Sequence, residues 1–412
     1  MKERGQAVLI LVFFLAIAGV SVFYTFFSPW RGRSEAENKT TNAMSVAKDA
    51  LIGFATSSAT RPGQLPCPDT NNDGLAEPLD GSNNCPKDSA GNPIQIGRLP
   101  WKTLGLEDLR DDSGERLWYA VTPVFTNLAL NEFDTDTKGA LTVNLFQGGA
   151  TTTITNQAVA LIFAPGAILP GQNRTPLTTA SCPTNNNDNV LVTNCAANYL
   201  ESAGVTNNAA PPGTGPFVTA QPGDTFNDRS IMIDTAALWT VVERRVAREM
   251  LALLRAYRQA TRASGCNCYP WASNNFDDDS VDGRTRGMVP MEDALPVDWG
   301  SGGTPSVPSW MIGNNKWGRL FYYAVAPSET EDHNSGDLEL DNPANKKAIV
   351  LITTGPAGAS RPSTTLSDYL EDSENRDNDD QFVTPSSTTY ARDRIYSCPL
   401  TPALPAPMPL CN

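Results

Sequence analysis

The residues with the clearest chemical spacing lie in the run Asp69-Thr70-Asn71-Asn72-Asp73-Gly74. Oxygen-bearing side chains at loop positions 1, 3 and 5 can converge on a hard cation when a glycine at position 6 permits the sharp turn, so Asp69, Asn71 and Asp73 are candidate Ca2+ ligands. Leu75 would supply the backbone oxygen at position 7, with Glu77 at position 9 and Asp80 at position 12. A second, weaker run offers Asp278, Ser280 and Asp282 before Gly283, with Val289 at position 12. The bland reading of both is a solvated Asn/Asp/Gly turn, for which these residues are the ordinary choice.

Other chemistry is sparse. The chain of 412 residues has one histidine, His333, in a polar loop, so sites built on paired histidines are excluded. A nucleophile elbow, a phosphate-cradling glycine loop and a dinucleotide fingerprint are all lacking, and no catalytic residue is assigned. Glu371, Asp372, Glu374, Asp377, Asp379 and Asp380 form an acidic run that reads as charged surface. A formal net charge of −14 argues against nucleic acid as a partner.

The elements that must carry these loops follow from patterning. Residues 35–59 lack proline, and Ala43, Ala47, Ala50, Leu51 and Phe54 fall on one helical stripe. A second helix is expected over about 235–262, with Leu238, Val242, Val246, Leu253 and Tyr257 apolar and arginines between them. Strand patterning appears at 117–121, 141–146, 158–163 and 190–193. Short connections favour antiparallel pairing, and each helix must bury its stripe on a sheet.

The signals also recur in order. Trp118-Tyr119-Ala120-Val121-Thr122-Pro123 is echoed by Tyr322-Tyr323-Ala324-Val325-Ala326-Pro327, and Tyr199-Leu200-Glu201 by Tyr369-Leu370-Glu371. Phe217-Val218-Thr219 and Asp228-Arg229 return as Phe382-Val383-Thr384 and Asp393-Arg394. The division is therefore a leader and apolar helix at 1–34, a first unit at 35–234 and a second at 235–412.

Eight cysteines indicate an oxidising compartment. Cys67 with Cys85, Cys182 with Cys195, and Cys398 with Cys411 are the candidate pairs, which leaves Cys266 and Cys268, too close together for an easy bridge. From Gln6 to Ser28 the chain runs 23 residues without charge. As a helix this would be ~34 Å long, enough to span a bilayer of ~30 Å. A cleaved signal peptide, with Ala16-Ile17-Ala18 as its small-residue site, is the rival, but it would leave a strongly apolar new terminus.

A short basic head, a glycine before the apolar helix, an amphipathic extension and helix-on-sheet units together resemble type IV pilins and type II secretion pseudopilins. Leu65-Pro66-Cys67-Pro68-Asp69, Gly97-Arg98-Leu99-Pro100-Trp101 and Gly114-Glu115-Arg116-Leu117-Trp118-Tyr119 are similar to runs in bacterial prepilin-like proteins. The resemblance implies an α+β fold: a long N-terminal transmembrane helix, then two tandem pilin-like units, each a helix on an antiparallel sheet. It implies a non-enzymatic minor subunit at a filament tip, in the inner membrane by a single pass with the body in the periplasm. Its partners would be other pilin or pseudopilin subunits and a prepilin peptidase cutting between Gly5 and Gln6. Ile10 stands where such chains usually carry a glutamate, a departure that suits a filament end. The alternative is a calcium-binding adhesin-like protein that joins no filament.

Overall fold

The structure is a computed structural model, and it describes residues 35–87, 94–128, 132–174, 179–182, 187–191, 195–209, 215–262, 265–274, 283–291, 297–311, 317–356, 361, 365–377, 379–385, 393–400 and 411. Helix α1 covers 35–57. The first half then forms β1 (Ile96–Arg98), β2 (Trp118–Val121), β3 (Leu141–Gln147), β4 (Ala150–Ala164), the short pairs β5 (Thr179–Cys182) with β6 (Asn187–Leu191) and β7 (Ser202–Ala203) with β8 (Thr206–Asn207), then β9 (Phe217–Ala220) and β10 (Arg229–Asp234). Helix α2 (Thr235–Thr261) leads to β11 (Arg286–Met288), β12 (Phe321–Val325), β13 (Leu338–Leu340), β14 (Asn342–Thr353), β15 (Gln381–Phe382) and β16 (Arg394–Pro399).

Two six-stranded sheets result, with one topology between them. The first runs β1-β2-β4-β3-β9 with β10 also on β4; the second runs β11-β12-β14-β13-β15 with β16 on β14. Even the register repeats, since Gly97 faces Tyr119 and Gly287 faces Tyr323. In both sheets the tyrosine hydroxyl donates to a proline carbonyl, Tyr119 to Pro66 at 3.2 Å and Tyr323 to Pro270 at 3.1 Å. Gly287 has φ +159, and a β-carbon added there would collide with the Ser273 carbonyl oxygen.

Strand alternation sends side chains to two cores. Tyr119 and Val121 of β2 and Phe321, Tyr323 and Val325 of β12 enter one shared cluster, which also holds Ala47 and Leu51 of α1 and Leu238, Val242 and Val246 of α2. The opposite faces, Trp118 and Ala120 or Tyr322 and Ala324, pack under Tyr199-Leu200 and Tyr369-Leu370 respectively. Trp239 of α2 ties the halves together: its ring centroid is 5.7 Å from Phe125, 5.3 Å from Phe133 and 5.8 Å from Trp317. Helix α2 starts where it does because Asp234 caps it, accepting from the Ala237 amide at 2.7 Å.

These observations correct the expected fold class. The described residues hold two α-helices in a β-rich body. Among them no helix is long and apolar enough to cross a membrane. The long transmembrane helix, and with it the single-pass inner-membrane placement, are not supported; residues 6–28, on which that expectation rested, lie outside the described residues. Helix α2 could not cross one either, since it carries Arg244, Arg245, Arg248 and Glu249 beside its apolar stripe and Glu243 within it. The sheets are also mixed, not antiparallel throughout, because β3 with β9 and β13 with β15 pair parallel. Nor does each helix keep to its own sheet, since α1 and α2 share one core with both. A pilin-type layout of separate helix-on-sheet units is thereby set aside.

Candidate functional site

A charged cleft of about 230 Å³ opens where the two halves meet, lined by Glu132, Asp134, Asp136, Thr137, Arg319, Leu320, Arg361 and Tyr369. The first half contributes a tight turn: the Thr137 amide donates to the Asp134 carbonyl at 3.0 Å, and the Asp136 amide to Asp134 Oδ1 at 2.9 Å. The second half contributes the segment after β14. There Thr135 Oγ1 donates to the Gly355 carbonyl at 3.1 Å, which fastens the turn across the junction. Arg361 Nε donates to Asp136 Oδ2 at 2.9 Å, while its other nitrogens reach Asp136, Thr354 and the Gly355 carbonyl.

Behind this lies Glu243, buried inside α2. It accepts from the Gly355 amide at 3.1 Å and from Arg394 of β16. Burial raises its pKa, opposed chiefly by the Arg394 charge. Asp134 is pushed up to about 7, first by burial and against the stabilising Asp136 amide. A carboxyl of that kind exchanges its proton near neutrality. Among the described residues the lining offers no Cys, Ser, His or Lys beside it. What the arrangement does chemically is hold two halves by charge-assisted bonds, with one proton poised at Asp134.

The residues proposed from sequence fall elsewhere. Asp69 is buried, and its carboxylate accepts from the Asn72 amide at 2.6 Å and the Gly74 amide at 2.7 Å. Its pKa is raised by burial, with those two amides opposing. Asn71 accepts from the Asp73 amide at 2.9 Å and Asp73 from the Leu75 amide at 2.7 Å. Glu77 turns to Thr70, accepting from its hydroxyl at 2.5 Å, and Asp80 caps a separate turn through the Ser82 and Asn84 amides at 2.8 and 3.0 Å. The loop's oxygens are therefore engaged as turn acceptors. Among the described residues the acidic group close enough to share a cation is Glu374, Asp377 and Asp379, with ligand oxygens within 4.8 Å. Asp278, Ser280 and Asp282 lie outside the described residues, as do Gly5 and Gln6.

Of the cysteine pairs, Cys67–Cys85 and Cys398–Cys411 are bridged. Cys195 is disulfide-bonded, and the side chain of Cys182 lies outside the described residues. Cys266 and Cys268 are bridged to each other, with Cα atoms 5.2 Å apart, although their spacing argued against it. His333 sits over this small ring, its Nε2 2.9 Å from the Cys266 carbonyl.

Sequence reasoning missed Asp134, Asp136, Arg361 and Glu243. The first three come from two loops more than 200 residues apart in the chain, with no local signal. Glu243 did carry one: with Trp239, Val242, Val246 and Met250 it falls on the apolar stripe of α2, where a carboxylate demands a buried partner. Set against known proteins, the chain matches no family model, no curated protein and no solved structure.

Proposed function

We propose that the chain is a non-enzymatic assembly and binding subunit, of the minor pilin or pseudopilin kind that its sequence runs resemble, belonging to a type IV pilus or type II secretion-like system. The observation that carries the non-catalytic part is the state of the charged cleft: Arg361, Asp136 and Glu243 are each engaged in bonds that join the halves. Charges so committed brace a body that meets its partners with its outer surfaces. Expression of the tagged full chain with candidate shaft subunits, followed by affinity purification, tests the reading. Co-purification of shaft subunits is the expected result; their absence under gentle conditions would overturn it. Calcium enters this proposal at the Asp69, Asn71, Asp73 loop that the spacing suggests, and calorimetry of the full chain with calcium that gives no heat removes it.

A further inference from the structure

Helix α2 turns one face away from the shared core, and that face is basic. Arg244, Arg248, Ala252 and Arg255 follow one another at intervals of four, four and three, which places them along one side of the helix. Together with Leu251, Tyr396 of β16 and Cys411 they line a second cleft, of about 430 Å³. Arg244 and Arg248 are exposed. None of these three arginines forms an ion pair among the described residues, and the buried Nε of Arg255 lacks an acceptor there. Their neighbours on the helix differ: Glu243 is held by Arg394, and Glu249 by Arg245 at 2.7 Å. The Tyr396 hydroxyl feels the site, its pKa raised by burial and by Glu243 while Arg394, Arg244 and Arg248 oppose.

In a chain of net charge −14, three uncompensated guanidiniums in one groove are a local reversal of sign. The distance from Arg244 to Arg255 along the helix is ~16 Å at 1.5 Å per residue. That is too long for one small anion, and equals about five residues of extended polypeptide at ~3.3 Å each. Nucleic acid is disfavoured by the overall charge. The apolar floor of Leu251, Ala252 and Tyr396 suits side chains lying between carboxylates.

We propose that this cleft binds a carboxylate-rich polypeptide segment of a partner protein, with Arg244 and Arg248 as its outer contacts and Arg255 as the inner one. The inference deepens the assembly reading above and rests on it only for the partner's being a fellow subunit. The test is fluorescence anisotropy of labelled octaglutamate with the full chain, in parallel with octaglutamine. Octaglutamate should bind at low salt, weaken steeply as salt rises, and lose at least about tenfold in affinity in R244E/R248E. R244K/R248K should retain most of the binding, and both variants should keep the near-UV spectrum, since the two side chains are exposed.

The proposal falls if octaglutamate does not bind, if octaglutamine binds equally, or if R244E/R248E binds as well as the parent. It also falls if millimolar inorganic phosphate displaces the peptide completely, which would mark a single-anion site. Peptide binding through Arg244 and Arg248 without co-purifying shaft subunits would keep the cleft and remove the assembly reading. Co-purification of shaft subunits with no octaglutamate binding would do the reverse.

Discussion

The two sheets share a topology, and among the positions they hold in common the polar ones are the most informative. In the first, Asn208 clamps β9, donating to the Val218 carbonyl at 2.9 Å and accepting from its amide at 2.7 Å. In the second, Asn375 does the same to Val383 at 3.0 and 2.9 Å. Asp228 accepts from the Glu201 amide at 2.9 Å, as Asp393 does from the Glu371 amide at 2.6 Å. These bonds fix the parallel strand and the return strand, which backbone pairing alone leaves weakly specified at two to six residues. Elsewhere the halves diverge. Arg98, buried between the Trp118 and Tyr199 rings at 4.2 and 3.9 Å, has Met288 in its place in the second sheet. Repetition thus extends to the clamps that the topology needs, while the exchange of Arg98 for Met288 shows that a single filling position can change.

If the halves form one cooperative body, the largest effect should come from the ring that joins them. Trp239→Ala is expected to cost roughly 3–5 kcal/mol. Chemical denaturation followed at probes in both sheets should show one coincident transition. Two separated transitions would mean that the sheets fold independently.

The next effect depends on pH and belongs to the junction alone. Burial holds the Asp134 carboxyl at about 7, above its unfolded value. Its contribution is therefore intact below the unfolded pKa of about 3.9 and is lost progressively as pH rises through about 7, up to about 4 kcal/mol in all. Melting between pH 4 and 8 should fall more in the parent than in Asp134→Asn, which keeps an acceptor for the Asp136 amide. Equal slopes in the two proteins would disprove the assignment.

The matched clamps offer a like-for-like test. Asn208→Ala also loses a 2.9 Å bond to Asp228, so it should destabilise by about 3 kcal/mol, against about 2 for Asn375→Ala. Urea titration of both variants gives the ranking, and the reverse order would deny that Asp228 adds to the clamp. The smallest difference concerns the disulfides. Cys67–Cys85 spans 18 residues and Cys266–Cys268 spans 2. Chain entropy assigns them about 3 and about 1.2 kcal/mol, so the paired Cys→Ser variants should differ by roughly that gap. Thermal melts that put the small ring first would show that it acts on the folded state, through the loop under His333.

Periodicity and local polarity were enough to place α2, read over 235–262 and found at Thr235–Thr261, and β2, β3 and the inner part of β4. They were enough because a helix stripe or an alternating strand is a property of neighbouring residues, and so is the Asx turn at 69–74. The same run could not say whether its oxygens face a cation or their own amides, since turn and metal loop share one composition. Three decisions belong to the tertiary structure alone: that both helices share a core with both sheets, that β9 and β15 pair parallel, and that Asp136 meets Arg361. Each joins segments far apart in the chain, where the energy of burial and charge pairing depends on a geometry that no local spacing encodes.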